Sequence, residues 1–210
     1  MNKKLRIKIF EKASLCRNFE INAFNYSKNR TIKIPIYLSA GQEFTSATLS
    51  TLIFSKKIKP LIFAQHRCHS TYLSFGGKIE NLIVELLGNY KLSNTRGMGG
   101  SASIYSKEIK MYGHDGHMGT QVPIGIGACF TSRKPTIVFM GDASAEEDYV
   151  LGALGWASVK KLPILFIVED NNLSILTEKK VRRNWHMHEV ARSFKMRGYD
   201  LHDNPKEIYK

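Results

Sequence analysis

Two apolar runs decide what this chain can fold into. Thr136-Ile-Val-Phe-Met140 and Pro163-Ile-Leu-Phe-Ile-Val168 are each of strand length and almost free of polar residues. The stretch between them, 146–159, reads as a helix. Parallel strands need a crossover of that length, and strands this apolar are buried on both faces. The chain is therefore expected to be α/β, a parallel sheet with helices on both faces. Ligands in such sheets gather beyond the carboxyl ends of the strands. Here those ends carry Gly141-Asp142-Ala143-Ser144 and Glu169-Asp170-Asn171-Asn172.

Upstream, apolar positions recur at helical spacing over 5–24, and 1–35 reads as a helical lead-in to one domain spanning 1–210. A helix with a Ser/Thr-rich face is predicted over 42–54, a short buried strand over 61–64, and helices over 70–75 and 79–87 closed by Gly88. Glycines at 97, 99, 100, 113, 116 and 119 make 93–119 a long loop, which in a compact domain is usually functional. A small-residue helix over 122–130 leads into the first apolar run.

Composition narrows the function classes. The net charge of +13 invites a nucleic-acid partner, but the lysines and arginines are scattered and no recognition motif or stacking aromatic set accompanies them. Neither nucleic acid nor membrane is expected as a partner. No apolar run reaches the length of a membrane span, and Met1-Asn-Lys-Lys-Leu-Arg is followed by no apolar core of a signal peptide. Cys16, Cys68 and Cys129 are odd in number and far apart, which reads as reduced thiols and a cytoplasmic location.

Asp142 and Asn171 are both hard oxygen donors, which suits Mg²⁺ completed by phosphate and water. Ala143 and Ser144, read as the opening of the next helix, would aim N–H groups at a phosphate. Taken alone, Asp142 is better explained as a helix cap than as a metal ligand. His114-Asp115-Gly116-His117 could be a metal site by composition, but no third ligand stands at fixed spacing, so the pair reads as hydrogen-bonded or solvated. The run Lys179-Lys180-Val-Arg182-Arg183 reads as a solvated loop.

The spacing from Gly-Asp to Asn171 resembles the thiamine diphosphate motif. Further segments, in order, resemble the alpha subunit of the decarboxylating first component of 2-oxoacid dehydrogenases. They are Gly41-Gln42-Glu43, His66-Arg67-Cys68-His69, Arg96-Gly97-Met-Gly99-Gly100-Ser101 and Gly116-His-Met-Gly119-Thr-Gln121-Val-Pro123. Lys161-Leu162-Pro163 and Glu169-Asp-Asn171 complete the series, which covers nearly the whole chain.

That resemblance implies a fold, a pair of cofactors and a set of residue roles. The fold would be the thiamine diphosphate-binding fold, incomplete at the C-terminus, and the cofactors thiamine diphosphate and Mg²⁺. Asp142, Asn171 and the carbonyl of Leu173 would hold the metal. His66 and Arg67 would reach the diphosphate near Gly141, Ala143 and Ser144, while Gly116 and Met118 would hold the aminopyrimidine. His69 and His117 are the expected catalytic histidines. A beta-type subunit would supply the rest of the site in an α₂β₂ assembly. A small 2-oxo acid would be the substrate, and a lipoyl-bearing acyltransferase would take the acyl group.

The sequence departs from the family pattern at Ala143 (usually Gly), Asp148 (usually Gly), Asp170 (usually Asn), Leu173 (usually Tyr) and Ala102-Ser103 (usually Met-His). It also ends at Lys210, where the family continues, so a shortened chain is expected. Two alternatives stay open: a non-catalytic cofactor-binding or scaffold relative, and a split transketolase half.

Overall fold

The computed structural model describes residues 1–210, whose contacts gather into two compact units. The first comprises Met1–Lys59, His66–Gly113 and Leu201–Lys210; the second comprises Pro60–Gln65 and His114–Asp200. The long glycine loop is divided between the two, after Gly113 and before His114.

In the first unit, α1 (Lys3–Lys28) starts at an Asn2 side chain that accepts from Leu5 N at 2.9 Å. Ile9, Ala13, Cys16, Phe19, Glu20 and Ala23 form its buried stripe. The stripe packs on α2 (Glu43–Ser55) and α3 (His69–Ser74), so α1 is part of the unit's body rather than a lead-in. Small side chains (Ser46, Ala47, Ser50 and Thr51) line the buried face of α2. Its first amides are capped from far along the chain: Asp203 accepts from Phe44 N (3.2 Å), Thr45 N (2.6 Å) and Thr45 Oγ1 (2.6 Å). α4 (Ile79–Leu86) contributes Glu85, a buried carboxylate that accepts from the Thr95 amide (3.0 Å) and hydroxyl and from Gly100 N (3.2 Å). One acid thereby shapes the Gly97–Gly100 turn. A short strand β2 (Met111–Tyr112) and α9 (Pro205–Tyr209), which packs on α2, finish the unit.

Lys12, on α1, donates to Ser50 Oγ (2.8 Å) and the Ser74 carbonyl (2.7 Å) and stands 4.9 Å from the Phe54 ring centre. Burial lowers its pKa to about 8 from the ordinary 10.5. The folded chain then binds fewer protons than the unfolded chain between about pH 8 and 10.5, so stability from this group rises with pH in that window. Wild type should therefore gain on Lys12→Met as pH rises from 8 to 10.5 in chemical denaturation. A constant difference would refute the assignment.

The second unit is built on three parallel strands: β1 (Leu61–Phe63), β3 (Thr136–Gly141) and β4 (Ile164–Glu169). β3 lies in the middle, pairing Leu61↔Thr136 on one side and Gly141↔Glu169 on the other. All six of its residues are buried, as its apolar run predicts. α5 (Gln121–Ser132) and α6 (Asp148–Val159) pack on each other and enclose Leu61, Phe63, Val138 and Met140 in one core. Gly125 permits this approach: a Cβ there would lie 2.8 Å from Val138 Cγ2 and 3.0 Å from Phe63. Beyond β4 come the hairpin β5 (Leu173–Ser174) and β6 (Thr177–Glu178), then α7 (Lys179–Arg182) and α8 (Met187–Ser193). No helix is long and apolar enough to cross a membrane.

Candidate functional site

The register that sets Gly141 beside Glu169 brings the two strand ends level. Asp142 follows β3 directly and is only 1% exposed. Ala143, Ser144 and Ala145 do not open α6, as the sequence suggested. They form a short 3₁₀ turn (Ser144–Glu146), and α6 begins at Asp148. Ala143 has φ −70° and ψ −39°, ordinary right-handed backbone, so its methyl imposes no strain where the family has glycine.

The β4 end is more open. Asn171 is exposed, and its side-chain oxygen accepts from Leu173 N at 3.0 Å, closing a local turn. Asn172 sits at φ 66°, a left-handed conformation that asparagine tolerates. Glu169 is buried and accepts from Gln65 Nε2.

The strongest electrostatic feature was not legible as such in the sequence. Arg182 donates through NH2 to Asp142 Oδ2 at 2.6 Å and through NH1 to Glu146 Oε1 at 2.5 Å, with its side chain 13% exposed. Arg183, 3% exposed, lies 3.4 Å from Glu146 Oε1 and 3.7 Å from Asp170 Oδ2, and is stacked on Trp185 at 4.7 Å. Lys179 donates to Asp170 at 2.5 Å. Burial works to raise the pKa of Asp170, but the Lys179 ammonium and the Asn172 amide hold it below the usual range. Of the basic run read as solvated, Lys179, Arg182 and Arg183 pack on acids near the strand ends, while Lys180 and Val181 are exposed.

Gly116, Met118 and His117 occupy the turn before α5. The Gly116 amide donates to His114 Nδ1 at 3.0 Å, and the Met118 carbonyl accepts from Tyr149 OH. Ser144 Oγ reaches Met118 Sδ at 3.8 Å. Burial lowers the pKa of His114, with Asp115 pulling the other way, while His117 is exposed. Gly119, at φ 91°, admits no side chain: a Cβ would stand 2.7 Å from Val150 Cγ2.

His66, Arg67 and His69 belong to the first unit. His66 meets Tyr37 edge-on at 5.4 Å. Arg67 Nε is buried with no hydrogen-bond partner, and the Arg67 carbonyl accepts from Gln42 Nε2 at 3.4 Å. His69, expected to be catalytic, lies in the interior of the first unit. Its ring is 0% exposed, with Nδ1 3.1 Å from Glu20 Oε2 and Nε2 2.9 Å from Ser101 Oγ. Glu20 also accepts from the Ser39 amide (3.0 Å) and hydroxyl, and Ser101 Oγ accepts from Tyr37 N at 2.8 Å. Ser101, His69 and Glu20 stand in nucleophile–base–acid order, yet all are sealed from solvent. They tie the glycine-rich turn to α1. Glu20, Glu85, Glu146 and Arg182 escaped sequence reasoning because nothing in their local spacing points to their distant partners.

Residues 11–200 match the family described as Dehydrogenase E1 component. The chain is 31% identical over 173 residues to the alpha-1 subunit of the pyruvate dehydrogenase E1 component of Oryza sativa, covering 80% of this chain and 43% of that protein. It is 30% identical over 203 residues to the corresponding alpha subunit of Rickettsia prowazekii, covering 93% and 60%. It therefore spans less than two thirds of these relatives' length. Among solved structures, transketolase from Leishmania mexicana superposes with a TM-score of 0.60 at 15% identity, over 89% of this chain and 31% of that one, a likeness of fold. Parallel strands ending in Gly141-Asp142 and Asp170-Asn171, together with a family match over nearly the full chain, place this protein in the dehydrogenase E1 component family, on its alpha-subunit side.

Proposed function

We propose that this chain is the alpha-type part of a thiamine diphosphate-dependent 2-oxoacid dehydrogenase, contributing half of a site completed by a beta-type subunit in an α₂β₂ assembly. The observation that carries this reading is the juxtaposition of Asp142 and the Asn171 turn at the ends of paired parallel strands. A carboxylate, an amide oxygen and the Leu173 carbonyl form an all-oxygen donor set, which fits Mg²⁺ in chemistry. Arg182 holds the Oδ2 oxygen of Asp142, so a metal would enter through Oδ1 beside it or displace it.

Within this reading Asp142 and Asn171 hold the metal. Arg67 is assigned to the diphosphate by the family resemblance alone, and a guanidinium suits phosphate oxygens. The backbone around Gly116 and Met118 seats the aminopyrimidine. His117, exposed on that turn, is the histidine proposed to meet a substrate. Thiamine diphosphate, when bound, supplies the carbanion stabilisation that lets a 2-oxo acid lose carbon dioxide. The acceptor in this reading would be a lipoyl disulfide on an acyltransferase, which would be reduced by two electrons to the thiol level as it takes the acyl group. The chain's own work is to bind, orient and exclude water.

Arg182 on Asp142 is also the observation that favours the rival, a relative that kept the fold without cofactor. Native mass spectrometry of the chain isolated with its partners from its own cells separates the two. A heteromer carrying thiamine diphosphate and Mg²⁺ is expected; a lone, cofactor-free chain would establish the rival.

A further inference from the structure

We propose that Arg182 stands in for the divalent cation, neutralising Asp142 and Glu146 in the ligand-free chain and moving to a phosphate oxygen when metal and diphosphate arrive. This inference rests on the proposed function, because it takes Asp142 as a metal ligand. The argument begins with charge. Asp142 is 1% exposed, and a buried carboxylate without a counter-charge is costly. Arg182 meets that need with one nitrogen at 2.6 Å and satisfies Glu146 with another at 2.5 Å. Lys179 and Arg183 do the same for Asp170 and Glu146. The three acids are thus matched by three cations, all from one short basic segment.

Arg182 holds only the Oδ2 oxygen of Asp142, so a metal ion on the same carboxylate would sit directly beside the guanidinium. Mg²⁺ binds carboxylate oxygens at about 2.0–2.1 Å, and two cations that close repel each other. That repulsion favours release of the guanidinium, which then needs another anion. A metal-bound diphosphate brings one to the same place, offering oxygens that suit a planar fork. Arg182 has a donor to spare, since its buried Nε has no hydrogen-bond partner. The hairpin before α7 offers the freedom to move: Ile175 and Leu176 at its tip are 92% and 89% exposed, so shifting the tip breaks no core packing. Arg182 would thereby act as a gate that favours joint binding of metal and diphosphate over metal alone.

The test uses the full chain, Mg²⁺ and thiamine diphosphate, with affinities read by calorimetry. Arg182→Gln should bind Mg²⁺ alone about tenfold more tightly than wild type, because no ion pair at Asp142 need be broken. It should bind Mg-thiamine diphosphate about tenfold more weakly, having lost the phosphate contact. Arg182→Lys, which keeps the charge but not the fork, should fall between, and serves if the glutamine variant does not fold. Unchanged affinities in these variants, with Mg²⁺ binding still abolished by Asp142→Asn, would overturn the exchange and leave the metal site standing. Mg²⁺ binding indifferent to Asp142→Asn would overturn both.

Discussion

Glu20→Ala is expected to lower the unfolding free energy by about 3–5 kcal/mol, because it removes one partner from a buried, fully engaged polar cluster. The carboxylate is 1% exposed and is bonded by the Ser39 amide, the Ser39 hydroxyl and the His69 ring. Alanine would leave those groups facing each other across a hole with no water to take them. The effect should spread, since His69 also holds Ser101, and Ser101 holds the Tyr37 amide. In a chain of this size the loss corresponds to a fall in Tm of roughly 6–20 °C, followed by circular dichroism. Glu20→Gln keeps the volume and one acceptor and should cost less. A Tm within a degree or two of wild type for the alanine variant would show that the cluster does not hold the first unit together.

Asp142→Ala should weaken Mg²⁺-dependent binding of thiamine diphosphate by about 100-fold or more. Changes in the residues that merely support a metal ligand already cost about 10–100-fold, and Asp142 is proposed as the ligand itself. The substitution also leaves Arg182 with Glu146 alone, at 2.5 Å, so a stability loss should accompany it. Asp142→Asn separates the two effects, since it keeps volume and an oxygen while removing the charge. Measuring cofactor affinity with and without Mg²⁺ in both variants checks the assignment. If cofactor affinity in the alanine variant stayed as in wild type, Asp142 would be a structural cap.

The placing of the proposed metal ligands came from local pattern. The β3 run was legible because a fully buried parallel strand must be apolar on both faces. β4 carries the same apolar run but lies at the sheet edge with Leu165 43% exposed, so the burial on both faces expected of the two runs holds for β3 alone. Their carboxyl ends then fixed where Asp142 and Asn171 would lie. The helices over 42–54, 79–87 and 122–130 were found within a residue or two at most boundaries, since their stops lie at local turn residues. The 3₁₀ turn after Asp142 was missed because Ala-Ser-Ala-Glu satisfies helix propensity equally well, and only packing decides where α6 begins.

The sequence by itself determined the strand–helix order, the parallel sheet and the two polar strand ends, because period and burial are properties of neighbouring residues. It could not determine which charge meets which. Arg182 reaches Asp142 across 40 positions, His69 reaches Glu20 across 49, and Asp203 caps α2 across 158. No spacing rule links groups so far apart. Their pairing comes from the need of each buried ion or polar group for a partner inside the folded chain, and the nearest partner is chosen by the tertiary structure.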